Sequence, residues 1–434
     1  MDGNSSIRDS LKQTIVKIFP RLYGEHILRS VYHFPQIQKE REKRILRIRS
    51  THKANVLFIA SSMSMWRLES VYRLLKEDER FQVLIVICPF RTFVAEQKKK
   101  SVDELVAFAH NNGWLYSVKD NLNDSGDVIA SFQPDIIFYP QLYGRLFENE
   151  LDCEKNLDRL IAYVPYGLPT VKGEWMYNSR YMNLAWKLFF PTRLHLMHAR
   201  KNSFNRARNM EIVGDPHASA FYSGTHSYAW KEQDNEKRKL IWAPHFSIGD
   251  GGYLHRASFL WLHDIMWDIA QAYKDSIQFV FKPHPRLLSE LYRHPDWGKD
   301  RADAYYEKWA AGDNTQLETG EYIDLFCTSD AMIHDCGSFS AEYHYTGKPV
   351  LFASQDFKSI YEGLDDFGTR CLDLHYQACD PEGIHAFIRD VVLQGNDPMK
   401  TKRDAFRNEF MIPKEGESFE QNVYRSLTKD LFKE

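Results

Sequence analysis

The hydrophobic pattern changes character near residue 54. Before it, Leu11, Ile15, Ile18, Phe19 and Leu22 recur at helical spacing among Arg8, Lys12, Lys17 and Arg21, so residues 6–49 read as helices. Pro20 and Pro35 are expected to interrupt that stretch, because proline removes a helical N–H and crowds the preceding turn. From Asn55 onward, short apolar runs alternate with amphipathic stretches. Val56–Ala60, Gln82–Cys88, Trp114–Val118, Asp135–Tyr139 and Leu160–Val164 are predicted strands, with predicted helices over Trp66–Lys76 and up to Asn111. The strand runs are apolar without alternation, which predicts a parallel sheet covered on both faces.

Residues 223–238 are polar and poor in aliphatic side chains, and are expected to link two domains. The alternation then restarts. Leu240–Ala243, Ile277–Phe281, Ala331–His334 and Val350–Phe352 are predicted strands; Phe259–Tyr273, Tyr322–Thr328 and Ser338–Tyr345 are predicted helices. Ile384–Leu393 and Phe419–Phe432 follow as further helices. The expected organisation is a basic helical segment 1–53, an α/β domain 54–222, a linker 223–238, a second α/β domain 239–412 and a helix in 413–434. The fold class is therefore α/β, with two Rossmann-like domains facing a cleft and ligands outside the carboxyl ends of the strands.

A chain of 434 residues fits two or three domains, and 43% hydrophobic with 26% charged residues excludes a disordered or fibrous chain. With 56 basic and 59 acidic side chains, no global field favours nucleic acid. The charge is uneven, however. Residues 1–53 carry 12 basic and 5 acidic side chains, which admits either a helix packed on the body or a basic amphipathic anchor on anionic lipid. Six cysteines without a CxxC pair fit a reducing compartment. No run approaches the roughly 18 apolar residues of a membrane span, and no signal-peptide core stands at the start. The expected location is cytoplasmic, with a peripheral place on the inner face of the membrane through residues 1–53 as the alternative.

There is no GxxxxGK[ST], HExxH, GxSxG or D-x-D. Gly249–Gly252 reads only as a loop. What stands out is a polar segment just past each of three strands: Pro244-His245-Phe246-Ser247, Lys282-Pro283-His284-Pro285-Arg286 and His334-Asp335-Cys336-Gly337-Ser338. The last opens a predicted helix, where Gly337 lets a backbone approach closely and N–H groups near Ser338 suit a phosphate. Lys282, His284 and Arg286 would add donors to a diphosphate and stabilise it as a leaving group. Glu342 lies one turn beyond Ser338, where a carboxylate can accept from ribose hydroxyls. Each has a structural alternative: a hydrogen-bonded histidine, or Asp335 as a helix cap. His245, His284, His334 and His344 have no ligand-like spacing, so no metal is expected.

FKPHPRL (281–287) and SDAMIHDCGSFSAEYHYTGKPVLF (329–352) resemble the CDP-glycerol glycerophosphotransferase family of teichoic acid and capsule polymerases. Ser329-Asp330, Asp335, Ser338, Glu342 and Lys348-Pro349 fall on that family's motif positions. Ile241–Pro244 resembles its strand ending in A-P, and Val213-Gly214-Asp215-Pro216 its V-x-G-x-P element. The resemblance spans roughly residues 160–355. It implies the two-domain GT-B fold and transfer of glycerol phosphate, or a related polyol phosphate, from a CDP-linked donor to a lipid-linked or glycan acceptor, with no cofactor beyond the activated donor. Two positions depart from the pattern. Tyr166-Gly167-Leu168-Pro169 stands where the family has H-G-T-P, whose histidine is the expected base, and Gly337 replaces the first serine of its S-S pair. The resemblance thus implies catalytic roles for His284, His245, Asp335 and Tyr166, and donor binding by Lys282, Arg286, Gly337, Ser338 and Glu342. Tyr166 is a weak base, since an ordinary tyrosine titrates near 10. The same fold would also serve a nucleotide-sugar glycosyltransferase or a non-catalytic nucleotide-binding scaffold.

Overall fold

The structure, a computed structural model, describes residues 25–119, 127–147, 150–222, 224–248, 257–413 and 417–434. The expected helical residues 6–24 and the Gly249–Gly252 loop lie outside them. Two compact units emerge. The first comprises residues up to Gly167 with Gly173–Pro216 and Pro413–Glu434; the second comprises Leu168–Lys172 and His217–Ile412.

The first unit holds strands β1 (Ala54–Ala60), β2 (Phe81–Ile87), β3 (Tyr116–Val118), β4 (Ile136–Tyr139), β5 (Leu160–Tyr163), β6 (Lys187–Phe190) and β7 (Met210–Ile212). They form one parallel sheet in the order β3-β2-β1-β4-β5-β6-β7. Val56, Phe58 and Ala60 enter one core and Leu57 and Ile59 the other, so both faces are covered, as unbroken apolar strands require. The helix Phe419–Phe432 covers one of these faces with Phe419, Val423, Leu427 and Leu431, although it lies more than 200 residues beyond β7.

The second unit holds β8 (Arg238–Ala243), β9 (Ile277–Phe281), β10 (Thr315–Leu317), β11 (Ala331–His334), β12 (Val350–Ala353) and β13 (Tyr376–Ala378). All pairs are parallel, in the order β10-β9-β8-β11-β12-β13. The core beneath is aromatic: Trp242 stacks on Phe281 with centroids 4.9 Å apart, and Trp309 lies 5.3 Å from each.

Three sequence expectations are corrected. Pro35 does not end a helix; it lies inside Glu25–Thr51. One lost backbone bond is outweighed by anchoring further along, where buried Arg41 donates to the carbonyls of Leu157 (2.7 Å) and Arg159 (3.0 Å). The segment Ser338–Tyr345 is only a short helix, Phe339–Glu342, that tightens into a 3-10 turn over Tyr343–Thr346. The expected linker is tied to the second unit. Trp230 Nε1 donates to Thr328 Oγ1 (3.1 Å), and Lys231 Nζ donates to the carbonyls of Ala310 (2.6 Å) and Gly312 (2.9 Å).

Four arginines of Glu25–Thr51 are turned onto the first unit. Besides Arg41, Arg44 and Arg47 pair with the buried Asp135, and Arg49 donates to the Asp430 carbonyl. Among the described residues no helix is long and apolar enough to cross a membrane.

Candidate functional site

In the second sheet the strand order reverses between β8 and β11. Connections leaving these neighbours depart to opposite faces, which opens a crevice beyond their carboxyl ends. The three polar segments follow β8, β9 and β11, three adjacent strands, so register alone places them at this crevice.

Hydrogen bonds join the segments to one another. Asp335 is buried, and one of its oxygens accepts the His245 amide (2.6 Å) while the other accepts the Ser258 amide. Burial pushes the Asp335 carboxyl upward, and the amides of Ser258 and His245 pull it back. Both oxygens are thus spent on holding the β8 loop and the start of helix Phe259–Ala272, which makes Asp335 an organiser of the site. The His284 amide donates to the Pro244 carbonyl (3.0 Å), tying the β9 loop to the β8 loop. Cys336 Sγ contacts the Ala243 carbonyl at 3.2 Å.

His245 and His284 face each other edge to face with centroids 5.0 Å apart. Phe246 lies against both rings, at 4.3 and 4.5 Å, and carries the Arg286 guanidinium on its face at 4.1 Å. His284 accepts the Arg286 backbone N–H on Nδ1 (3.1 Å), whereas His245 Nδ1 lies 2.8 Å from Ser247 Oγ and 3.3 Å from the Ser247 amide. A neutral ring with Nδ1 engaged as acceptor carries its proton on Nε2. His284 therefore presents an Nε2–H donor, while the Ser247 hydroxyl, able to give or accept the bond at 2.8 Å, suits either tautomer of His245. Burial, with Arg286 nearby, holds His245 down to about 3 and His284 to about 4, from an ordinary 6.5.

The remaining residues divide. Ser338 is exposed at the head of the short helix, and the amides of Gly337 and Ser338 make no hydrogen bond among the described residues. Lys282 is buried; its ammonium donates to the Gly320 carbonyl (2.6 Å) in the turn after β10. Burial lowers its pKa, opposed by Glu318 and Glu321. Glu342 is buried and accepts the Tyr322 hydroxyl at 2.5 Å. Ser329 and Lys348 bond their own helix–strand junction, to Phe326 and to Phe326 and Cys327 respectively. Tyr166 is an exposed loop residue after β5, in the other unit. Sequence reasoning placed Phe246 and Ser247 in a site segment but gave them no role, and it missed Ser258. The aromatic between two polar residues was the available signal for the first; Ser258 follows a segment with no pattern to place it.

Flanking the site, a cavity of about 660 Å³ is lined by Thr225, His226, Tyr228, Glu318, Glu321 and Asp324. Among the described residues no set of His, Cys, Asp and Glu is arranged to hold a metal ion.

Two Rossmann-like parallel-sheet units in one chain define a protein of the GT-B class. No family model and no curated protein matches the sequence. Among solved structures, S. aureus MnaA bound to UDP superposes with a TM-score of 0.57 at 12% identity, over 88% of this chain and 98% of that one. The UDP-GlcNAc 2-epimerase of Methanocaldococcus jannaschii with UDP-GlcNAc and UDP gives 0.52 at 13%, over 86% and 99%. The wall teichoic acid polymerase TagF soaked with CDPG gives 0.50 at 13%, over 94% and 97%. At these identities the likeness is one of fold.

Proposed function

We propose that this protein is a transferase of cell-envelope polymer synthesis that acts on a nucleotide-diphosphate donor, moving glycerol phosphate or a related polyol phosphate from a CDP-linked donor to an acceptor hydroxyl. The observation that carries the reading is the convergence at one switch point of the His245 ring, the Nε2–H of His284, the Arg286 guanidinium and the Gly337–Ser338 amides. Arg286 also pairs with Glu290 (3.1 Å), and the group as a whole offers N–H donors, the chemistry that a diphosphate takes up. The family-like sequence FKPHPRL and the fold shared with TagF support the CDP-linked donor.

In the reaction, the acceptor oxygen attacks the phosphorus bearing the glycerol. The P–O bond to the nucleotide phosphate breaks and CMP departs with the electron pair. The hydroxyl proton leaves with a base, for which His245 is a candidate. Donors aimed at the departing phosphate offset its growing charge, worth about 10²–10³ in rate for one such donor. Glu342, held by Tyr322, is the residue assigned to the ribose, and Lys282 stabilises the neighbouring turn.

Transfer from labelled CDP-glycerol to a lipid or glycan acceptor tests the activity directly. A thermal-shift panel of CDP-glycerol, CDP-ribitol, CMP, UDP-GlcNAc and UDP identifies the donor class. Stabilisation by the UDP compounds alone replaces the polyol phosphate reading with a nucleotide-sugar one, and stabilisation without turnover leaves a binding protein.

A further inference from the structure

Behind the Asp335–Ser338 turn lies a group of histidines that the anion site does not use. His334 closes β11, with 1% of its surface exposed; His375 precedes β13, with 4%. His334 Nδ1 accepts the Cys336 amide at 3.0 Å. His334 Nε2 and His375 Nε2 are 3.0 Å apart, and His375 Nδ1 is 2.7 Å from the Cys371 carbonyl oxygen. An N–H stands at one end of this chain and a C=O at the other, so two neutral rings have only one arrangement of protons. His334 must carry its proton on Nε2 and donate it to His375, and His375 must carry its proton on Nδ1 and donate it to Cys371. Reversing the middle bond would create an imidazolate beside an imidazolium in the core. Adding a proton to either ring would set two N–H groups against each other.

We propose that the His334–His375 pair is a proton-locked strut that positions the Asp335–Ser338 turn, making His375 a positioning residue for the anion site although it sits 40 residues from that turn in sequence. The proposal rests on the donor-binding reading of that turn. The chain runs unbroken: the Cys371 carbonyl orients His375, His375 orients His334, and His334 takes up the Cys336 amide. The Gly337 and Ser338 amides, next in line, are then left for a ligand, while Asp335 carries the same constraint into His245. The surroundings keep the strut neutral. His344 packs edge to face on His375 with centroids 4.9 Å apart and shares the Cys371 carbonyl (3.1 Å), Phe352 covers His334, and the Arg403 guanidinium disfavours a charge on His375 and His344. Burial lowers the pKa of all three rings.

The test uses the full chain and two variants. Gln at 375 can accept from His334 and donate to Cys371; Leu can do neither. Ring ¹⁵N spectra of the wild type are expected to show His334 protonated on Nε2 alone and His375 on Nδ1 alone. In His375→Leu the Gly337 and Ser338 amide resonances shift and CDP binding by calorimetry weakens about ten-fold, a loss of one ordinary hydrogen-bond contribution. In His375→Gln both stay near wild type. Wild-type CDP binding in His375→Leu, or a proton on His375 Nε2, overturns the strut. If the wild type binds neither CDP nor pyrophosphate, the donor-binding reading has failed on its own, and the amide shifts still decide whether His375 sets the turn. Should the Leu variant not fold, the ring spectra of the wild type decide.

Discussion

The two units solve the same problem at one edge of their sheets and part company at the other. At the amino edge an aspartate precedes the strand across the reversal. Asp135 donates its amide to the Asn55 carbonyl (2.8 Å) and accepts the Asn55 amide on Oδ2 (2.9 Å). Asp330 does the same with Lys239, at 2.7 Å each way. At the carboxyl edge the first unit closes on itself. Ser61 Oγ donates to the Cys88 carbonyl (2.9 Å), Ser62 and Ser64 pair at 3.0 Å, and Tyr139 donates to the Leu151 carbonyl (2.9 Å). The second unit there gathers two histidines, an arginine and unengaged amides. A shared clamp marks what the architecture demands. The contrast at the opposite edge marks where chemistry has been placed on one unit, since unpaired donors in a crevice cost stability unless a ligand takes them up.

That contrast can be broken in several ways. The largest effect is expected from His284→Ala, which removes an Nε2–H donor and should lower transfer by about 10²-fold while leaving the first unit intact. Donor turnover measured beside thermal unfolding separates the two outcomes, and undiminished turnover removes His284 from the site. Next is pH. His245, His284, His334, His344 and His375 are all held below 6.5, to between about 3 and 4 where a value stands. Below 6.5 the unfolded chain takes up protons that the folded second unit refuses, so its stability is full above 6.5 and falls as pH drops toward 3. Hydrogen exchange read peptide by peptide should show β8, β9 and β11 opening on acidification.

Asp335→Asn is a smaller change. An amide side chain cannot accept both backbone N–H groups without turning its own NH₂ toward one, a cost of about 1–3 kcal/mol. Denaturant unfolding should show that loss together with weaker CDP binding. Asp330→Asn should show a similar loss of stability with binding retained, because its clamp sits at the far edge. Ser61→Ala is the smallest. It deletes one neutral hydrogen bond, about 1 kcal/mol or less, and nucleotide affinity should not move. A nucleotide effect there would erase the distinction drawn between the two edges.

Legibility followed length and burial. Strands such as Val56–Ala60 and Ile277–Phe281, the latter apolar but for Gln278, are readable because every position is buried, and the polar residue that follows each one marks the carboxyl edge. Strands β6, β7, β10 and β13 have three or four residues and gave no periodicity to count. His245, His284 and Arg286 were accessible as residues at strand ends; that they surround Phe246 was not, since ring contacts arise from loops 40 residues apart.

Alone, then, the amino-acid order determined two α/β halves and which three segments stand at one sheet edge, because strand burial and strand ends are local properties of the chain. The tertiary structure decided the rest. It turned Arg41, Arg44, Arg47 and Arg49 onto the body, returned Phe419–Phe432 to the first unit, and spent Asp335 and Lys282 on backbone groups. A polar side chain's role is set by the partner that reaches it, and the partners of these arginines, of Asp335 and of Lys282 come from distant parts of the chain.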